Sequence, residues 1–335
     1  MRSADQEVLS AAAAWLEQGD AVYLVTVART FGSSPRPPGS LMAVRADGEF
    51  AGSVSGGCVE DDLAARLAAR VGPQRLPAIE TYGVSAEQTH RFGLPCGGRL
   101  ELLIERLESA PPIRALLKTM DERRCCARRV CLATGDVSLH PGIVHEPFQF
   151  DGANATRVFG PQWRLLLIGA GQLSRYVAEM ALALDYHVIV CDPREEYAHA
   201  WTVNGTELDG GMPDDVVRAR ARDARSAVVA LTHDPQFDDL ALLAALTSET
   251  FYVGALGSRA NDTKRRKRLA DLGVSPAQLA RLHGPVGLPI GSRTPPEIAI
   301  AILAELTAKR HGRRLQAADA EMEAPVAQMA VSCGE

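Results

Sequence analysis

The segment Arg164-Leu-Leu-Leu-Ile-Gly169-Ala170-Gly171-Gln172-Leu173-Ser174 restricts the fold of this chain more than any other. An apolar run of strand type meets a glycine turn and then a helical pattern. About twenty residues further on, Val188-Ile-Val-Cys-Asp192 ends in a carboxylate. This is the order of a Rossmann unit, in which a helix N-terminus takes a diphosphate and the acid takes a ribose hydroxyl. Ser174 stands where the third small residue lets helix and strand approach closely, and serine is small enough for that. The unit begins behind a first region of different pattern, so the nucleotide fold reads as an appendage to another chemistry.

The remainder of 162–312 extends the unit. Ala227–Asp234 and Phe251–Gly257 are short apolar runs of buried parallel-strand type, with helical patterns over 237–247 and 260–272. Pro295-Pro296 opens a last helix, 297–309. A doubly wound parallel sheet is predicted. Residues 147–161, with two glycines and Asn or Asp turn formers, mark a linker. Residues 313–335 are alanine-rich and acidic without periodicity, which predicts a disordered tail.

Residues 1–146 read as a separate α+β domain. Val8, Leu9, Ala12, Trp15 and Leu16 predict a helix over 4–18, and 21–27, 40–44 and about 50–54 predict strands. Asp47-Gly48 centres a hairpin turn. A helix begins near Val59, with Glu60, Asp61 and Asp62 suited to the positive end of its dipole. A strand over 99–105, a helix over 108–122 and short strands and turns over 125–150 complete the domain.

Bulk properties exclude several classes. A net charge of −5 leaves no surplus of cations for phosphates, so no nucleic-acid partner is expected. No apolar run approaches the roughly 18 residues needed to cross a bilayer, and the first residues lack a signal-peptide pattern, so a cytoplasmic, non-membrane protein is expected. The seven cysteines form no CxxC pair, which argues against a disulfide framework or a zinc ribbon. The run Lys264-Arg265-Arg266-Lys267-Arg268 reads as the solvated face of a surface helix.

Three further loops are candidate sites. Gly257-Ser258-Arg259 and Gly291-Ser292-Arg293-Thr294 each precede a helix and offer backbone N–H groups, a hydroxyl and a guanidinium, the parts of a phosphate cradle. The bland reading is that Ser258 and Thr294 only cap helices. In Gly52-Ser53-Val54-Ser55-Gly56-Gly57-Cys58-Val59-Glu60 the glycines permit close backbone approach, and Cys58 lies near a helix start, where the dipole favours a thiolate. Such a thiol could ligate a soft metal, carry sulfur, or fill a turn as a small hydrophobe. Cys96, in Pro95-Cys96-Gly97-Gly98, has a similar setting, whereas Cys191 within a strand is expected to be inert.

Gly32-Ser33-Ser34-Pro35-Arg36, the loop 52–60 and Cys96-Gly97-Gly98 resemble the N-terminal domain of the XdhC/CoxI family. The glycine turn at 169–174, Leu231-Thr232-His233-Asp234-Pro235, Gly254–Arg259 and Gly287-Leu288-Pro289-Ile290-Gly291 resemble its C-terminal Rossmann domain. The resemblance implies an α/β fold in which an N-terminal α+β XdhC/CoxI-type domain precedes a Rossmann-like doubly wound parallel sheet. It implies a chaperone that binds the molybdenum cofactor (molybdopterin), protects it, assists its sulfuration and inserts it into a molybdenum hydroxylase. The partners implied are an apo molybdenum hydroxylase, a cysteine desulfurase and a second copy in a homodimer. Cys58 after Gly56-Gly57 is similar to the CoxI-like branch, whose clients use the cytosine dinucleotide form of the cofactor. On this reading Cys58, with Cys96, contacts molybdenum or its sulfido ligand. Gly56, Gly57, Gly169, Gly171, Gln172, Asp192, Gly257, Ser258, Arg259, Ser292 and Arg293 hold the rest of the cofactor. Two alternatives stay open: an NAD(P)-dependent oxidoreductase, and a thiol sulfur carrier acting through Cys58.

Overall fold

The structure is a computed structural model that describes residues 3–32, 36–73, 75–83, 99–144 and 146–313. Cys96 and nearly all of the expected tail lie outside the described residues.

The N-terminal region is built on an antiparallel five-stranded sheet. Helix α1 (Ala4–Glu17) starts at a capping box in which Ser3 and Gln6 satisfy each other's backbone N–H. Strands β1 (Val22–Phe31), β2 (Leu41–Arg45) and β3 (Phe50–Gly52) follow, then helix α2 (Cys58–Ala68), β4 (Ala78–Tyr82), β5 (Arg99–Leu107) and helix α3 (Ala110–Asp121). The sheet order is β3-β2-β1-β5-β4. Alternation along the strands divides the core in two. Val22, Leu24, Leu41 and Ala43 face α1 and α3, while Val25, Val27, Met42 and Val44 face Val59, Leu63 and Leu67 of α2.

A four-stranded antiparallel sheet joins this region to the next. It holds β6 (Cys126–Cys131), β7 (Val137–Pro141), β8 (Gln149–Phe150) and β9 (Asn154–Phe159) in the order β7-β6-β9-β8. Residues 147–161, read as a linker, thus carry two strands. Strand β9 pairs along the whole of β6, from Cys126↔Phe159 to Cys131↔Asn154. The turn formers in this segment are real, but they serve a hairpin whose partner lies some distance back in the chain. Cys126 and Phe159 are buried in the same core as α1 and α3, so this sheet belongs with the N-terminal region.

The C-terminal region contains β10 (Arg164–Ile168), α4 (Gln172–Ala183), β11 (His187–Cys191), α5 (Glu195–His199), β12 (Glu207–Asp209), α6 (Pro213–Arg220), β13 (Ser226–Ala230), α7 (Pro235–Leu246), β14 (Tyr252–Ala255), α8 (Arg259–Asp271), α9 (Pro276–Leu279), β15 (Leu282–His283) and α10 (Pro295–Arg310). Every neighbouring pair of strands is parallel, and the order is β12-β11-β10-β13-β14-β15. Counted within the domain this is 3-2-1-4-5-6, the Rossmann order. Both faces are buried. Leu165 and Leu167 pack toward α4 and α10, and Leu166 and Ile168 toward α6 and α7. That explains the unbroken apolar runs in the sequence.

The two regions are tied together by charge. Arg123, at the end of α3, grips Asp223 through Nε and Nη2 at 2.9 and 2.7 Å and donates through Nη1 to the Gln162 carbonyl at 2.9 Å. The basic run at 264–268 is only partly a solvated face. Arg265 is buried, Arg266 donates to the carbonyls of Leu279 and Leu282, and Arg268 bonds Asp239, so its arginines brace α8 against its neighbours.

Candidate functional site

A crevice of about 370 Å³ opens at the carboxyl ends of β10 and β13, where the strand order reverses. Ligands bind Rossmann sheets at this place. Its walls include Gly169, Gly171, Gln172, Ser174, Arg194, Tyr197, Thr232 and His233.

The two glycines of the turn have different tasks. Gly169 has φ +102°, and a Cβ there would meet Thr232 Cγ2 at 2.9 Å and Thr232 Cα at 3.1 Å. The fold itself requires that glycine. Gly171, with φ −83°, has nothing within 4 Å of an added Cβ. The fold does not need it; it leaves room for something to approach the first turn of α4. No side chain caps α4, and among the described residues no acceptor meets the N–H groups of Gln172, Leu173 and Ser174. Ser174 Oγ is buried and likewise has no partner. Donors without acceptors at a helix N-terminus are the chemistry of an anion site.

The other three loops are filled from within. Glu60, 2% exposed, reaches back into Gly52–Cys58. Its Oε1 accepts from Ser53 Oγ at 2.6 Å and from the N–H groups of Val54, Ser55 and Gly56 at 2.9, 2.7 and 2.8 Å. Its Oε2 accepts from Gly57 N at 2.9 Å and from Ser55 Oγ. Burial works against the charge, but the hydroxyls of Ser53 and Ser55 and the backbone donors outweigh it and bring this carboxyl down to about 2. The amides of Gly56 and Gly57 are therefore committed to Glu60. Ser258 Oγ caps α8 by accepting from Asn261 N at 3.2 Å. Glu297 accepts from the N–H groups of Arg293 and Thr294 at 2.7 and 3.0 Å, and Ser292 Oγ donates to the Glu297 carbonyl at 3.2 Å. Ser258 thus caps its helix with its side chain, whereas at Thr294 the Glu297 carboxylate closes the helix start. Gly257, Ser258, Arg259, Ser292 and Arg293 do not line the crevice, although their neighbours Leu256 and Pro295 do.

Asp192 is completely buried at the end of β11, with both oxygens engaged. One accepts from Ala170 N and Arg194 Nη2, both at 2.8 Å, and the other from Arg194 N and Nε at 3.1 and 2.8 Å. Burial opposes its charge, yet Arg194 and the Ala170 N–H hold its carboxyl below the usual range. The opposite wall rests on Asp238, 1% exposed, which accepts from Thr232 Oγ1 at 2.7 Å. Beside it the non-glycine His233 takes the left-handed conformation, φ +64°, at the rim.

Cys58 is exposed at the first position of α2, held out by the Glu60-filled loop. It does not line the crevice, so the structure does not bring it to the glycine turn. Cys191 is buried in its strand, and burial pushes its thiol up to about 12, as an inert position requires. Two participants escaped the sequence reading: Glu60 as filler of its loop and Tyr197 as a wall of the crevice. The glycines just before Glu60 were a signal for the first. Arg194 was legible in the sequence as a cation two places beyond the strand-end acid that bears on the ribose position; its bond to that acid was not.

These features define a class: a Rossmann-ordered domain with an unfilled glycine turn, joined to an α+β domain that displays a thiol on a glycine loop. The "XdhC and CoxI family" model matches residues 15–83 and the "XdhC Rossmann domain" model matches residues 165–306. The chain belongs to the XdhC and CoxI family. It is similar to the "Molybdenum cofactor insertion chaperone PaoD" of Escherichia coli (strain K12), with 29% identity over 304 residues, covering 88% of this chain and 85% of that protein. It is also similar to a "Probable xanthine dehydrogenase" component of Bacillus subtilis (strain 168), with 27% identity over 337 residues, covering 89% of this chain and 96% of the other. A crystal structure described as a xanthine dehydrogenase from Bacillus halodurans superposes with a TM-score of 0.69 at 24% identity, covering 94% of this chain and 98% of that one. This last likeness speaks for the fold alone. No helix among the described residues is long and apolar enough to cross a membrane.

Proposed function

We propose that this chain is a maturation factor for a molybdenum enzyme: it binds the molybdenum cofactor and passes it to an apo molybdenum hydroxylase. The relationship to an insertion chaperone, aligned through both halves of the chain, carries this reading. The crevice supports it physically, because a phosphate-bearing cargo needs N–H donors that the protein has not already used, and the first turn of α4 supplies them. Gly169 shapes that turn, and Gly171 and Gln172 receive the phosphate.

Three finer elements belong to the same proposal. Cys58, accessible on a preorganised loop, is the soft donor that meets molybdenum or its sulfido ligand, with Cys96 as a second thiol. Sulfuration of the cargo with a cysteine desulfurase would pass through the same exposed thiol. The CoxI-like resemblance favours the cytosine dinucleotide form, whose diphosphate suits the open helix end. Cys58 is not in the crevice wall, so joint action of thiol and turn on one cofactor would use a cargo that extends out of the crevice or a second copy in a homodimer. The NAD(P)-dependent reading finds less support, since the acid that would take the ribose is engaged by Arg194.

The test is reconstitution. Purified protein loaded anaerobically with molybdenum cofactor should activate a purified apo molybdenum hydroxylase faster than free cofactor does, without turning over substrate alone. Failure to bind the cofactor in either the molybdopterin or the cytosine dinucleotide form would overturn the proposal.

A further inference from the structure

Resting on the reading of the crevice as the cargo site, we infer that Arg194 closes the ribose position to any nucleoside, so that NAD loses its usual anchor and a cargo is held by its phosphates and its pterin end. A Rossmann fold reads the ribose of NAD through hydroxyl donation to the acid at the end of its second strand. Asp192 occupies that position, and four donated hydrogen bonds use about the four lone-pair directions a carboxylate has.

Three of the four come from Arg194, and its side chain supplies two of these through a bidentate fork, the geometry in which guanidinium and carboxylate bind most firmly. The fork is also held from outside. The Arg194 guanidinium carbon lies 3.8 Å from the centroid of the Tyr197 ring and 5.8 Å from that of Phe237. A neutral ribose hydroxyl cannot replace a charge-assisted pair with a fully buried carboxylate, because the exchange would leave Asp192 without its counter-charge. Arg194 and Tyr197 line the crevice next to the glycine turn, so the lock sits where an adenosine would lie. The crevice thus accepts a ligand through its phosphates and gives no purchase to a nucleoside ribose, whichever base it carries. A carrier in a cell rich in NAD would be kept free for its cargo by this arrangement.

The experiment is a fluorescence titration with NADH on the full chain, using wild type, Arg194→Ala, Arg194→Gln and the double variant Arg194→Ala/Asp192→Asn. Near-ultraviolet circular dichroism checks that each is folded. The wild type should show no saturable binding at millimolar NADH. Arg194→Ala should gain saturable binding at least about tenfold tighter, Arg194→Gln should gain less, and the double variant should lose the gain. Arg194→Gln keeps the aliphatic stem and a neutral N–H donor on a shorter side chain and serves if the alanine variant does not fold. Wild-type NADH binding as tight as that of the variants would overturn the inference, and so would folded Arg194 variants that gain nothing. A parallel titration of the wild type with molybdenum cofactor separates the two claims. Cofactor binding without an NADH gain in the variants sinks only the Arg194 inference; an NADH gain without cofactor binding sinks only the proposed function.

Discussion

The loop before α2 and the turn before α4 are made of the same parts, a strand end, glycines and a helix N-terminus, but only the first has a carboxylate of its own chain turned back into it. In the first, Glu60 supplies the anion from within, and the result is a stiff platform with Cys58 at its tip. In the second no internal acceptor reaches α4, and Gly171 leaves open space beside it. A glycine loop at a helix start is therefore not a binding site by sequence alone. What decides is whether an acid a few residues on turns back into it, as Glu60 and Glu297 do.

The largest effect that could break this comparison is at Glu60. Its replacement by Ala should cost at least about 3 kcal/mol in urea unfolding, because several buried donors, each worth about 1–3 kcal/mol when left unsatisfied, lose their common acceptor. A loss below about 1 kcal/mol would mean the loop does not depend on its internal anion. The same carboxyl sets an acid limit. Its folded value, about 2, lies below the ordinary carboxylate value of 4.5, so its stabilisation is full above that value and is lost as pH falls from there through about 2. In Glu60→Gln the fall in stability over that window should be shallower than in wild type.

Next in size is the contrast within the turn itself. Gly169→Ala forces a Cβ against Thr232 at a positive φ and should lower stability by about 1–3 kcal/mol. Gly171→Ala meets nothing and should stay within about 0.5 kcal/mol of wild type. Equal losses at both would show that Gly171 also serves the fold. Smallest is Cys58→Ser, an exposed change expected to leave the thermal midpoint in place. In the native wild type Cys58 should react with a thiol reagent well before the buried Cys191, and the reverse order would contradict its placement.

Much of this architecture was legible from residues alone. The parallel core declared itself because Leu165–Ile168 and Val188–Cys191 are apolar on both faces, and the paired prolines fixed the start of α10. Where the reading fell short, long-range partners decide the outcome. Strand β4 is a half-buried edge with little alternation, and β12 and β15 are too short to show a period. Strand β9 is hidden among turn formers and exists because β6 pairs with it. Glu60 looks the same in sequence whether it faces a helix dipole or fills a nest. The inward arginines of α8 are set by Asp239 and by the carbonyls of Leu279 and Leu282, and the closure of Asp192 by a side chain whose direction no spacing rule supplies.

The central claim is that the unfilled turn of α4 is where the cargo's phosphate sits. It is tested most directly by equilibrium binding of the cytosine dinucleotide form of the molybdenum cofactor to wild type and to Gly171→Asp, with unfolding midpoints measured on the same samples. The account predicts that the introduced carboxylate weakens binding by at least about tenfold through repulsion and occupation of the cradle, with the fold intact. Equal affinity in the two proteins would contradict it.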